Sequence, residues 1–250
     1  MSRILPNDPT PEKDLGFGQA DAADALGPQS QGSPALDLSR DGFRQLAQRK
    51  LLTEADDIVF KPETGRPPGP SDFDLNPDMF DEIDRSQVPR AAAVLIPVVA
   101  DETLSVILTE RSKALPRHPG QIAFPGGKIE PSDASPLGAA LRETHEEIGL
   151  SPSFVEPLGF LDGYLTRTGF HIIPIVGLVR PGFSLKLDER EVARAFQVPL
   201  SFLMDQANHL IHKRDFGGAE RAFYAMPYGD AYIWGATAGM IKTLHRRLTT

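Results

Sequence analysis

Glu143, Glu146 and Glu147 carry the strongest chemical signal in this sequence. On an α-helix, spacings of three and four residues bring side chains out on one face, so these three form a cluster of carboxylates. Like charges so placed repel, and an isolated helix disfavours them. A hard divalent cation between them removes the conflict, because carboxylate oxygens are the ligands that Mg²⁺ and Mn²⁺ prefer. A solvated acidic helix face is the competing account, and an E-x-x-E-E run alone does not exclude it. The flanking residues favour a site: Gly126-Gly127 form a turn upstream, Arg142 opens the acidic run, and Gly149-Leu150 close it.

The elements that must position these acids can be read around them. Pro136–Ile148 has the helical period, with Leu137, Ala140, Leu141, Thr144 and Ile148 on the side away from the acids and Gly149 placed as C-cap. Ala91–Val99 is a continuous apolar run expected to be a buried strand, and Thr103–Arg111 its hairpin partner across Asp101-Glu102. Residues 154–165 and 170–179 read as strands, 191–196 and 200–204 as short helical pieces, 222–226 as a strand and 234–248 as a final helix. This order implies an α/β fold with a mixed sheet covered on both faces. Residues 1–36, rich in Pro, Gly, Asp and Ala, read as a disordered tail. Residues 37–86 read as an amphipathic helix (37–55; Phe43, Leu46, Leu51 and Leu52 on its stripe) followed by a Pro-rich linker, and residues 87–250 as the folded domain that carries the acids.

The segment Gly126–Leu150 resembles the Nudix box. Gly127 fits its first glycine, Arg142-Glu143 its Arg-Glu pair, Glu146-Glu147 its acidic pair and Gly149-Leu150 its end. Three positions depart from the pattern. Asp133 stands where the family has Glu, eight residues rather than seven separate it from Arg142, and Thr144 replaces an aliphatic residue. The resemblance implies a Nudix-type α/β/α sandwich and hydrolysis of a diphosphate linkage. It implies Glu143, Glu146 and Glu147 as catalytic ligands of Mg²⁺ or Mn²⁺, with the Gly126 carbonyl a further candidate ligand. Asp133, Arg142 and Gly127 take structural roles, Asp133 and Arg142 as an ion pair. The base that activates water is one of these glutamates or a residue outside the box.

The stretch Leu108–Lys128, with Arg111-Ser112 and Phe124-Pro125-Gly126-Gly127-Lys128, together with Glu130 and Asp133, resembles the extended signature of the coenzyme A diphosphatase branch. Residues 161–170 and 234–239 are similar to the same branch. Pro116 stands where that signature has Arg, and Arg117 follows it. The implied substrate is coenzyme A or an acyl or oxidised form of it. Arg111, Arg117, Lys128 and Arg167 are the candidate substrate-binding residues, with Lys113 also basic and His118 and His171 assigned no role. NADH, ADP-ribose and a non-catalytic nucleotide-binding module are the alternatives.

Composition bounds the rest. The chain has 250 residues with 40% hydrophobic and 24% charged, ordinary for a globular protein. A net charge of −8 argues against nucleic-acid or anionic-membrane partners, whose binding needs a basic surface. The absence of cysteine removes disulfides, thiolate metal sites and thiol nucleophiles. Without a signal-like start or an apolar run of membrane-spanning length, the expected location is cytoplasmic. The sequence leaves a homodimer open.

Overall fold

The computed structural model describes residues 36–55, 69–82, 88–215 and 220–250. The tail expected over residues 1–36 therefore lies outside the described residues, Leu36 excepted.

Strand β1 (Arg90–Ala100) is the centre of the molecule. Its apolar run is buried on both faces, as the sequence implied: Ala93 and Leu95 point into one core, Val94, Ile96 and Val98 into the other. On one side β1 pairs antiparallel with β2 (Leu104–Arg111) across a turn at 101–103. On the other it runs parallel to β7 (Phe170–Val179), with Arg90 opposite Phe170 and Val99 opposite Val179. β3 (Ile122–Ala123) extends the sheet beyond β2, and β4 (Gly126–Lys128) pairs with β1. β5 (Val155–Phe160) and β6 (Tyr164–Leu165) both pair with β7. The run expected as one strand over 154–165 is thus two, broken at 161–163.

Helix α1 (Arg40–Lys50) begins at the cap Ser39, whose Oγ accepts the Gly42 N–H. It is shorter than the 37–55 expected, because the chain turns extended at Leu51 and Leu52 bridges to Phe160 of β5. Helix α2 (Pro136–Ile148) packs through Ala139, Ala140 and Ile148 on one face of the sheet. The opposite face is covered by α1, by α4 (Gly235–Thr249) and by a three-stranded sheet of β9 (Leu210–Asp215), β10 (Glu220–Tyr228) and β11 (Ala231–Trp234). The mixed sheet is covered on both sides. Among the described residues no helix is long and apolar enough to cross a membrane.

Three local expectations are corrected. Residues 191–196 are not helical: Val192–Pro199 form β8, paired with β2 from Arg111 to Ser105, followed by the short helix α3 (Leu200–Leu203). Hydrogen bonding along the whole of β2 overrides the weak helical spacing of that run. Trp234 belongs to β11 and caps the helix, which starts at Gly235. Part of the Pro-rich linker docks on the domain: Ser71 bridges Leu165, Phe73 is buried, and Asn76 exchanges hydrogen bonds with Ala222 N and O. An aromatic anchor and satisfied backbone groups hold that segment in place.

Candidate active site

Helix α2 presents the acids, and both of its ends are built to hold it. Ser135 caps the first turn by accepting the Gly138 N–H at 3.1 Å, and Pro136 sits in that turn, where its missing N–H costs nothing. Gly149 adopts φ 71°, and a Cβ there would meet the Lys186 backbone at 2.8 Å. That close approach matters. Lys186 N–H and Asp188 N–H donate to the carbonyls of Ile148 and Glu147, both at 2.9 Å, closing the C-terminal turn. The strap 186–191 so fastened delivers Glu191 to the acidic face. Its carbonyl accepts the Ser112 N–H at 2.8 Å, which ties the end of β2 to the same place.

Glu147 is 6% exposed. Its Oε2 accepts the Gly126 N–H at 3.1 Å. Burial pushes its carboxyl up to about 7, and repulsion from Glu191 and Glu143 adds to this. The Gly126 amide and the Arg111 guanidinium oppose the shift. Glu143 is also raised, first by burial, with Arg142 pulling it down and Glu146 and Glu191 pushing it up. Glu143 packs against Gly127: a Cβ there would stand 2.5 Å from the Glu143 carboxyl carbon. Gly126, whose carbonyl is a candidate ligand, also meets Glu147 through its N–H.

Arg142 is the clip of the motif. Its Nε and a terminal nitrogen each donate to Asp133 at 2.9 Å, a bidentate pair that spans the longer interval in this sequence. A further bond to the Lys128 carbonyl at 3.3 Å ties the helix to β4. The guanidinium holds the Asp133 carboxyl down at about 2, helped by the Glu130 N–H. The remaining nitrogen reaches Glu143 at 2.9 Å and the mostly exposed Glu146 at 3.2 Å.

Arg142 thereby draws two of the three acids to itself. Among the described residues no three acidic or histidine side chains enclose a cation as they stand. The donor set nevertheless fits a hard divalent ion. Glu143, Glu147 and Glu191 repel one another, and Glu147 is a buried carboxylate with a single hydrogen bond. Bound positive charge is what such a group lacks.

The basic candidates separate. Arg111 ends β2 beside Glu147. Arg117 is exposed in the loop 112–121, next to His118 at φ 55°. Lys128 is exposed at the end of β4, and Arg167 is exposed before β7, its N–H bonded to Asp72. His171 is buried in β7. Glu191 was missed by sequence reasoning. It lies outside the motif, and only the bonds of the strap to α2 bring it to the acids.

A domain model described as NUDIX domain matches residues 89–217. The chain belongs to the Nudix hydrolase family. Among curated relatives, the uncharacterized Nudix hydrolase NudL of Enterobacter sp. (strain 638) is 40% identical over 157 residues, 62% of this chain and 81% of the relative. The NudL of Escherichia coli (strain K12) is 41% identical over 160 residues, with the same coverage of 62% and 81%. Solved Nudix structures align more loosely. A C. elegans Ap4A hydrolase binary complex gives a TM-score of 0.39 at 17% identity, covering 44% of this chain and 80% of that one. The Nudix domain of Shewanella oneidensis NrtR complexed with ADP ribose gives 0.36 at 18%, covering 50% and 84%. As a Nudix hydrolase the protein cuts pyrophosphate linkages in nucleoside diphosphate derivatives, chemistry for which the family uses divalent cations.

Proposed function

We propose that this Nudix hydrolase splits coenzyme A, or its acyl or oxidised forms, into 3′,5′-ADP and a 4′-phosphopantetheine product. One observation carries the reading. The stretch that resembles the coenzyme A diphosphatase signature is tied to the acidic site at two points: the Gly126 N–H donates to the Glu147 carboxylate, and the Ser112 N–H donates to the main-chain carbonyl of Glu191.

Glu143, Glu146 and Glu147 would hold Mg²⁺ or Mn²⁺. When bound, such an ion neutralises diphosphate oxygens and lowers the pKa of the attacking water. Gly127 leaves the space that the Glu143 carboxylate occupies. Asp133 and Arg142 fix α2 against β4, so the ligands stand on a rigid element. Glu191 lies outside the ligand motif yet faces Glu143 and Glu147, and it is our candidate for the group that takes the water's proton. Water oxygen then bonds to phosphorus, and the bridging oxygen leaves with the second phosphate. Arg117, Lys128 and Arg167 are our candidates for the substrate's outlying phosphate. We place the enzyme in the cytoplasm.

The test is hydrolysis of coenzyme A, acetyl-CoA, dephospho-CoA, NADH and ADP-ribose, each with and without Mg²⁺ or Mn²⁺. Turnover of coenzyme A well above dephospho-CoA, only with metal, is expected. Preference for NADH or ADP-ribose would keep the hydrolase and discard the substrate. A folded protein inert on all five would point to a nucleotide-binding module.

A further inference from the structure

Arg111 differs in its surroundings from the other basic candidates. It ends β2 at an irregularity in the ladder with β8, where the register shifts between Glu110 and Arg111. The extra residue there is Ala193 of β8, so β2 itself keeps its alternation through Arg111. Along β2, Ile107 points into the core beneath α2 and Leu108 into the opposite one. Alternation puts Arg111 on the α2 side, with Glu147, and Glu110 on the other, where Arg194 takes it at 2.5 Å. The backbone around Arg111 is fixed: its N–H donates to Gln121 O and its carbonyl accepts the Gly120 N–H, both at 3.0 Å.

One donor of the side chain, by contrast, is unsatisfied. Nε is buried with no hydrogen-bond partner, and among the described residues the guanidinium makes no salt bridge. It feels Glu147 only through its charge. An unmet guanidinium donor costs free energy, and it sits beside a cluster of carboxylates that would readily accept it. The fork is held off those carboxylates and kept open for another acceptor. An anion that arrives with the cation beside Glu147 and Glu143 is a phosphoryl group.

We propose that Arg111 is a catalytic residue that donates to the oxygens of the scissile diphosphate, and that it takes no part in recognising a remote phosphate. This inference rests on the hydrolase reading of the site and not on coenzyme A as substrate. Charge that develops on the phosphoryl oxygens during displacement meets a preorganised bidentate donor, which lowers the barrier more than it tightens binding.

The experiment compares Arg111→Ala and Arg111→Lys with the parent on coenzyme A, dephospho-CoA and ADP-ribose, at rising Mn²⁺ and with melting curves recorded for each protein. Arg111→Ala is expected to lower kcat about 10²- to 10³-fold on every substrate that the parent turns over, with a smaller change in KM. Saturating Mn²⁺ should not restore the rate, and added guanidinium should recover part of it. Arg111→Lys retains the charge without the fork and should fall between. Should Arg111→Ala not fold, the lysine variant carries the same comparison. A loss confined to coenzyme A, absent with dephospho-CoA, would overturn the proposal by placing Arg111 at the 3′-phosphate. Full recovery at high Mn²⁺ would overturn it by reducing Arg111 to a support for the metal ligands. If the parent prefers ADP-ribose, the substrate reading above falls and the Arg111 comparison proceeds on ADP-ribose.

Discussion

Gly126 and Gly127 stand side by side against helix α2, and their substitution should fail in different ways. At Gly126, φ is 147° and a Cβ would meet Ala93 O at 2.4 Å and Val94 Cα at 2.6 Å, all backbone. Gly126→Ala should destabilise the fold by roughly 2 kcal/mol or more, read as a lowered Tm. At Gly127 the collision is with the end of the Glu143 side chain, which can swing away. Gly127→Ala should fold with nearly the parental Tm and lose activity and metal affinity together. A normal rate in Gly127→Ala would remove Glu143 from the ligand set. Glu147 allows a test by pH. Its folded carboxyl titrates near 7, above the ordinary value of 4.5, so the fold favours its neutral form. Between those two values the folded state binds more protons than the unfolded chain, and stability falls as pH rises. Without metal, Tm should decline from pH 5 to 7.5, more steeply in the parent than in Glu147→Gln. With metal present the difference should vanish, because the ion replaces the proton. Equal slopes in the parent and Glu147→Gln without metal would mean that Glu147 is not the group titrating.

At the scale of elements, the sequence marks the parts that chemistry and burial constrain locally. The α2 period and its glycine C-cap were legible, as was the double-sided burial of β1. The small sheet was only partly so: β9 alternates weakly, and β11 is four residues long, too short for a pattern. β8 was misread because Val192, Ala195 and Phe196 fall at helical spacing, whereas the bulge opposite Glu110 and Arg111 disrupts strand alternation there. The pairing of Asp133 with Arg142 was implied by a family pattern despite its longer spacing. Its contribution can be measured. Asp133 is held at about 2, so the pair's stabilisation is present at neutral pH and lost as pH falls from about 4 toward 2. Arg142→Met should lower Tm at pH 7, with the deficit shrinking below pH 3. A deficit unchanged at low pH would assign the loss to packing. Thr144, where the family pattern has an aliphatic residue, is buried with its hydroxyl unpartnered among the described residues. Thr144→Val should stabilise the protein by about 1 kcal/mol without altering kcat. A loss of stability would mean that the hydroxyl meets a buried water.

For the whole molecule, the question is where the folding unit begins. Residues 89–217 match the family, and composition alone puts the start of the domain near residue 87. The packing puts it earlier. Phe43 and Ala47 of α1 are fully buried, in the same core as Ile96, Val106, Leu108 and Leu178 of the main sheet and Met240, Ile241 and Leu244 of α4. Arg44 pairs with Glu156 of β5 at 2.8 Å, and Leu52 exchanges backbone hydrogen bonds with Phe160, each at 2.9 Å. Farther along, Asp72 accepts from Tyr164 Oη and Arg167 N–H, both at 2.9 Å, beside the buried Phe73. These contacts were hidden in the sequence because their partners lie about a hundred residues downstream, and periodicity sees only neighbours. Emptying the Phe43 site alone should cost about 3–5 kcal/mol. A chain of residues 87–250 loses that anchor, the Phe73 anchor and the cover of the β5 edge. Its Tm should fall by about 10 °C or more below that of residues 36–250, at the 2–4 °C per kcal/mol typical of this size. Exposed apolar surface should also bind a hydrophobic dye. Residues 36–250 should melt with the full-length chain. If 87–250 melts cooperatively within a few degrees of it, α1 is an appendage, and the main sheet with α4 closes its core unaided.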